Sequence, residues 1–310
     1  MKKLIPLLLT ALLFAACGDD DSNSQNNGSA NSLNNANAFT AADFNGSMFN
    51  SNMPEKAASY ARRIEMPHLK RGNRLVIHDT NSYGVNFIIE WDDNKKAQRW
   101  TAYTMHRTTG CYPGSAGRNE DFKEDTSIPS MFRSTLADYR GSGFDRGHLC
   151  PSADRQRTVA VNQETFVLSN MHPQCHNFNA GIWEKMEDKL RKWVKASNAA
   201  TDTFYVVKGG TIEDGQVEDQ TIGSNHLPIP HYFFMAILMK NNTAGNGGYK
   251  AIAFWSEHHY EDRSADALTS YVISVRQLEQ KTGIDFFCNL PDDIENAVEI
   301  NVYPDSWDWK

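Results

Sequence analysis

Asp145-Arg146-Gly147-His148, then Ser169-Asn170-Met171-His172-Pro173-Gln174, then Asn177-Phe178-Asn179-Ala180-Gly181-Ile182-Trp183-Glu184-Lys185-Met186-Glu187 are the three blocks whose reading decides the fold. The first falls in a short strand at 144–150, and 165–170 (Thr-Phe-Val-Leu-Ser-Asn) reads as its partner across a loop at 151–164. The third opens a helical pattern over 179–196. There Ile182, Trp183, Met186, Leu190, Trp193 and Val194 fall on one stripe with helical period. Asn179 lies within that stripe and Glu187 on its edge, with Arg191 one turn beyond. A carboxylate on the margin of a core-facing stripe needs a partner if it is buried. The alternative is an ordinary i,i+4 pair between Glu187 and Arg191 on a wet surface. Strand, strand and helix thus carry a histidine, an asparagine and a glutamate in chain order.

Working outward, 74–78, 84–91 and 98–106 read as strands, with turn chemistry at Asn81-Ser82-Tyr83-Gly84 and Asp92-Asp93-Asn94-Lys95. That is an antiparallel meander. Segment 111–140 is irregular and polar. Further strands are expected at 203–208, 230–239 and 250–256, and a helix at 265–280 ending near Thr282-Gly283. Strands and helices mix without a βαβ rhythm. The pattern predicts an α+β fold, an antiparallel central sheet flanked by helices.

Hydrophobic residues at 40% and aromatics at 11% of 310 residues allow a sizeable core and exclude global disorder. The net charge of -7 argues against a general nucleic-acid binder. Between residues 140 and 195, however, nine Lys/Arg stand against six Asp/Glu. A locally positive signature suits an anionic substrate, and it also suits a plain solvated helix face.

Lys2 and Lys3 precede an apolar run at 4–16, too short to span a bilayer as a mature helix. This describes a secretory signal. Leu-Phe-Ala-Ala-Cys at 13–17 resembles a bacterial lipoprotein signal with Cys17 acylated. Asp19-Asp20-Asp21 resembles a surface-export signal of outer-membrane lipoproteins, or is a solvated spacer. Residues 22–37 are nearly all Asn, Ser, Ala, Gly and Gln, a tether with too little apolar surface to order itself. The expected division is a signal peptide at 1–16, an acylated cysteine and tether at 17–50, and one catalytic domain at 51–310. The expected location is exported and outer-membrane-anchored, meeting the membrane through lipid alone. Cys111, Cys150, Cys175 and Cys288 remain, in a compartment where disulfides persist. Cys150 and Cys175 flank the signature and are the favoured pair; four buried free thiols are the alternative.

Hydrolysing a phosphodiester requires a base for water, stabilisation of charge on phosphorus and neutralisation of the leaving oxygen. His148 suits the first task, since an unperturbed imidazole titrates near ~6.5. Gly147 permits close backbone approach. Asn179 presents a neutral carbonyl oxygen of the kind Mg²⁺ accepts beside its waters, although asparagine at this place is also a good N-cap. Glu187, two turns along, suits an outer acceptor acting through water, and a helix N-terminus favours phosphate.

These residues resemble the DNA/RNA non-specific endonuclease family, whose members share a ββα-metal motif. The resemblance spans 75–287 in order of elements and is dense over 139–193. It implies that His148 is the general base and that Arg146 belongs to the catalytic motif. It implies Asn179 as the direct ligand of Mg²⁺ or Mn²⁺, with Glu187 holding the metal through water and Arg191 touching substrate. Asp145, Asn170 and Gln174 would shape the substrate site. Arg118 is the best upstream phosphate clamp, with Arg133 and Arg140 as rivals. DNA and RNA are the implied substrates, cut to leave 5′-phosphate ends, and 282–287 resembles a late element that packs the core.

Other readings compete. His148, Cys150, Cys175 and His176 compose a zinc set, though with poor spacing in an oxidising compartment. A catalytically weak surface lipoprotein gripping nucleic acid or glycan would use the seven tryptophans for stacking, yet Trp183 and Trp193 fall on the core stripe. A phosphomonoesterase or small-molecule phosphodiesterase would show the same residues at phosphorus. Oligomeric state is not legible.

Overall fold

The computed structural model describes residues 36–243 and 245–310. The expected signal segment, Cys17 and the tether as far as residue 35 lie outside them. In chain order the strands are β1 (Asn50–Ser51), β2 (Arg74–Asp79), β3 (Val85–Asp92), β4 (Ala97–Met105), β5 (Asp145–His148), β6 (Met171–Gln174), β7 (Thr203–Gly210), β8 (Val217–Ile222), β9 (Leu227–Pro230), β10 (Tyr232–Lys240), β11 (Tyr249–Glu257) and β12 (Val272–Ile273). Eight of them form one sheet in the order β1-β2-β3-β4-β7-β10-β11-β12. Every pair in it is antiparallel except the short edge pair β1–β2. The expected α+β architecture is what the chain adopts.

Both faces of this sheet are covered, and strand alternation sorts side chains between two cores. On β10, Phe233, Met235, Ile237 and Met239 enter one core while Phe234, Ala236 and Leu238 enter the other. That is why β10 reads as an unbroken apolar run rather than an alternating one. The first core receives the stripe Ile182, Trp183, Met186, Leu190, Trp193 and Val194, all buried. Each such side chain contributes about 1.5–3 kcal/mol of transfer free energy. The second core takes Ala57, Leu278 and Val298 from the helices Pro54–Ala61, Val275–Thr282 and Asp292–Ile300. Among the described residues no helix is long and apolar enough to cross a membrane.

Several expectations are corrected. The partner of β5 is β6 at Met171–Gln174, not 165–170, with His148 opposite Met171 and Asp145 opposite Gln174. Residues Leu168–Asn170 make a tight turn instead, because the Asn170 amide engages Cys150 from both sides and ends the ladder there. The expected helix at 179–196 is a π-helical turn, Phe178–Trp183, followed by the α-helix Glu184–Ala196; the backbone leaves helical geometry at Gly181. The span 265–280 is a short turn, β12 and then the helix Val275–Thr282. That helix starts where Ser274 and Gln277 form a reciprocal capping box and ends where Gly283 takes φ 62°. The β8–β9 ladder and the helix Asp292–Ile300 were not anticipated.

Packing also begins ahead of residue 51. Asn37 is buried and donates to the Pro67 carbonyl at 3.0 Å, and Phe44 and Phe49 stack with ring centroids 5.1 Å apart. Cys111, Cys150, Cys175 and Cys288 are all free and buried, so the favoured Cys150–Cys175 disulfide is not formed.

Candidate active site

The β5–β6 ladder and the π-turn after it place the signature residues around one cleft. His148 ends β5 between Phe166 and Phe122, at ring-centroid distances of 5.0 and 5.8 Å. Its backbone carbonyl accepts from the Trp183 indole at 3.3 Å. The ladder closes tightly beneath it: a Cβ added to Gly147 would lie 2.1 Å from Cδ of Gln174. The Nε2 atom of His148 is buried and has no hydrogen-bond partner. Burial first, then the positive charges of Arg118, Lys208 and Arg146, push this imidazole down to about 3. Burial and these cations thus favour the neutral ring, and its Nε2 atom is not already engaged.

Asn179 sits inside the π-turn rather than at its cap, which is Asn177; the N-cap reading is thereby set aside. Its amide nitrogen donates to Asp145 Oδ2 at 3.0 Å. The same oxygen lies 2.9 Å from His176 Nδ1. Fixing the NH₂ group on Asp145 leaves the carbonyl oxygen on the other branch of the planar amide.

Glu187 is not on a wet surface. It is buried, 2.9 Å from the ammonium of Lys208 and 3.9 Å from Arg191. Burial pushes its carboxyl above the ordinary range, against the pull of those two cations. Arg191 donates to Asp154 at 2.9 Å and also pairs with Asp188. Asp154 in turn accepts from the Tyr103 hydroxyl at 3.0 Å. Lys208 and Asp154 are the site residues that sequence reasoning missed. The available signal for Lys208 was a charge inside the apolar strand Phe204-Tyr205-Val206-Val207-Lys208.

Arg118, Arg146, His148, Asn179, Glu187 and Arg191 line one cleft of about 210 Å³. A second cleft of about 550 Å³ shares Arg118, Arg146 and Asn179 and continues past Asp145, Tyr139, Arg140 and His176. The two adjoin through those three residues and together make the polar trough of the site, and His148 and Asn179 both line its smaller part. Of the upstream arginines, Arg118 lines both clefts, Arg140 only the larger, and Arg133 is engaged by the carbonyls of Thr126 and Ile128. Arg146 lies over the Phe122 ring at 3.9 Å, which holds the guanidinium at the mouth.

Asn170 and Gln174, expected to shape the substrate site, are absent from the lining of both clefts. Asn170 is fully buried, its amide spent on Cys150 and Thr165 backbone groups. Gln174 is fully buried against Gly147. Both shape the floor of the site and neither lines the trough. The zinc set does not assemble: among the described residues His148, Cys150, Cys175 and His176 do not converge as ligands, and burial pushes the Cys150 thiol up to about 12.

Residues 65–293 match the family model of DNA/RNA non-specific endonuclease. The chain is similar to mitochondrial nuclease EXOG of Xenopus laevis, 31% identical over 67% of this chain and 58% of that protein. It is also similar to human mitochondrial endonuclease G, 31% identical over 66% of this chain and 68% of that one. A nuclease of Nostoc sp. is 28% identical over 70% of this chain and 76% of its own length. The chain thus spans well under two thirds of the frog relative. In fold it resembles EndoG in the crystal structure of an EndoG/EndoGI complex, with a TM-score of 0.59, 23% identity, and coverage of 69% of this chain and 86% of that one.

Proposed function

This chain belongs to the DNA/RNA non-specific endonuclease family, and from that premise we propose that it is a metal-dependent endonuclease that hydrolyses phosphodiester bonds of DNA and RNA with little sequence preference. One observation carries the reading: an unpartnered, neutral, buried imidazole nitrogen on His148 shares a cleft with Asn179 and three arginines. A phosphate is the anion such a trough suits, because guanidinium forks match its oxygens.

The donor set fits a hard divalent cation. It is all oxygen: the Asn179 carbonyl left free by the Asp145 hydrogen bond, and the Glu187 carboxylate beyond it. When bound, Mg²⁺ or Mn²⁺ would stabilise charge on the phosphate and the departing oxygen. The chain's own residues do the rest. Arg118, Arg146 and Arg191 hold the phosphate in the cleft. Asp145 orients the Asn179 amide so that its oxygen is the group presented. His148 accepts the proton of the attacking water at Nε2, and the phosphate's negative charge offsets the arginine cations that depress its basicity in the free protein. Lys208 and Arg191 oppose the effect of burial on the Glu187 carboxyl, which on balance still lies above the ordinary range. The products carry 5′-phosphate ends. The resemblance of residues 1–17 to a lipoprotein signal supports export and lipid anchoring of this enzyme in the outer membrane.

The test is digestion of supercoiled plasmid and of RNA with Mg²⁺, with Mn²⁺ and with EDTA. Cutting that survives EDTA, or a His148→Ala variant that cuts at the wild-type rate, sinks the proposal. Binding without turnover would favour the surface binder.

A further inference from the structure

His176 stands on the wall of the larger cleft and has no part in the chemistry assigned to His148 and Asn179. Its side chain is 77% exposed, yet its ring is anchored: Nδ1 lies 2.9 Å from Asp145 Oδ2. That oxygen is the one that takes the Asn179 amide at 3.0 Å. An exposed side chain gives up rotamer freedom to hold one place, and this one holds the carboxylate that orients Asn179. The two ring nitrogens of an imidazole diverge, so anchoring Nδ1 turns Nε2 away from Asp145. Among the described residues Nε2 has no hydrogen-bond partner.

Asn179 lines both clefts, His148 only the smaller and His176 only the larger. Asn179 is thus the junction between the clefts of the two histidines. A strand whose scissile phosphate lies at His148 and Asn179 continues into the larger cleft. At about 550 Å³ that cleft has the size of a ligand pocket. Its charges favour an anion: Arg118, Arg140, Arg146 and His176 line it against Glu120 and Asp145. Both carboxylates are already engaged, Glu120 by Arg118 at 2.7 Å and Asp145 by His176 and Asn179. Arg146 is steadied over the Phe122 ring, and Arg140 is exposed. Arg140, Arg146 and His176 are therefore the donors left for a second phosphate.

We propose that His176 is a further substrate-binding residue: anchored at Nδ1 by Asp145, it donates from Nε2 to the phosphate next to the scissile one on a nucleic-acid strand. This contact rests on the endonuclease reading and extends it by one subsite. A histidine that bridges two anions donates from both nitrogens, as imidazolium. A backbone phosphate carries no base information, so the contact fits cutting with little sequence preference. It also links the two clefts. Phosphate, His176, Asp145 and Asn179 become one chain of hydrogen bonds, and a strand seated in the larger cleft steadies the Asn179 amide.

The experiment separates the two ring nitrogens. An asparagine amide reaches the place of Nδ1, so His176→Asn keeps the Asp145 bond and loses Nε2. A glutamine amide reaches the place of Nε2, so His176→Gln keeps an outer donor and loses the anchor. Both are made in the full chain carrying His148→Ala, and binding of a single-stranded DNA oligonucleotide is read by fluorescence anisotropy over a range of salt. His176→Asn should bind about 5–10-fold more weakly, the loss of one charge-assisted hydrogen bond at a partly exposed site. Its plot of log affinity against log salt should flatten by about 0.7, one phosphate contact fewer on a single strand. His176→Gln should recover part of the affinity. With His148 restored, the loss in His176→Asn should fall on KM rather than kcat. Affinity and salt slope unchanged in His176→Asn would show that His176 only props Asp145, and would overturn the proposal. Cleavage by the unaltered chain, assayed in parallel, tests the endonuclease reading separately. A chain that binds through His176 but never cuts loses that reading and keeps this contact. A chain that cuts equally well as His176→Asn keeps that reading and loses this contact.

Discussion

The ammonium of Lys208 lies 2.9 Å from the Glu187 carboxylate, and both groups are buried. Strand alternation explains the meeting: Phe204 and Val206 point into the core beneath the helix Glu184–Ala196, and Lys208 follows them onto that face. Removing one member of a buried pair strands the other. Lys208→Met should therefore lose about 3–5 kcal/mol in urea unfolding, and Lys208→Met/Glu187→Gln should recover part of it. Strictly additive losses would show that the two groups are not coupled.

His148→Ala should lower the rate of plasmid cleavage by about 10²–10⁴-fold, the range for losing a general base. Circular dichroism should remain close to wild type, while Tm falls by what emptying the place of the ring between Phe122 and Phe166 costs.

The depressed basicity of His148 sets a direction for pH dependence. A base acts when neutral, so kcat/KM should hold below the ordinary histidine value of 6.5 and fall only as pH approaches about 3. Arg118 is the second cause of the depression after burial. Arg118→Met should move the acid limb to higher pH, and an unmoved limb would exclude that coupling. For stability the sign is the same: the neutral ring's contribution is intact above 6.5 and is lost as pH falls towards about 3. His148→Gln should lose less stability than wild type between pH 7 and pH 4.

Gly147→Ala drives a methyl into Gln174, 2.1 Å from Cδ, and Gln174 is fully buried with nowhere to swing. Overpacking of this kind costs about 1–3 kcal/mol. Gly147→Ala/Gln174→Ala should restore most of the loss, read as urea midpoints. A neutral single variant would show the β5–β6 ladder to be looser than its geometry.

Much of this was legible along the chain because it depends on periodicity. The meander β2–β4, the stripe of the helix Glu184–Ala196 and the two later strands β10 and β11 follow from which residues repeat at two or at 3.6. The strand paired with β5 was misplaced because Thr165-Phe166-Val167-Leu168 has strand composition, yet Asn170 spends its amide on Cys150 and Thr165 and turns the chain first. The helix starts only at Val275, later than the apolar pattern from 265 implies, because Ser274 and Gln277 cap it there.

Read alone, the order of residues determined the fold class, the three signature blocks and the chemistry of His148, Asn179 and the arginines, since these rest on residue type and spacing along one strand or one helix. Only the folded chain decided that Lys208 would pair with Glu187, that Asp145 would hold the Asn179 amide, and that Asn170 and Gln174 would lie under the trough. Each of these joins elements distant along the chain, and the pairing of such side chains is settled by sheet order and helix docking, which local periodicity does not encode.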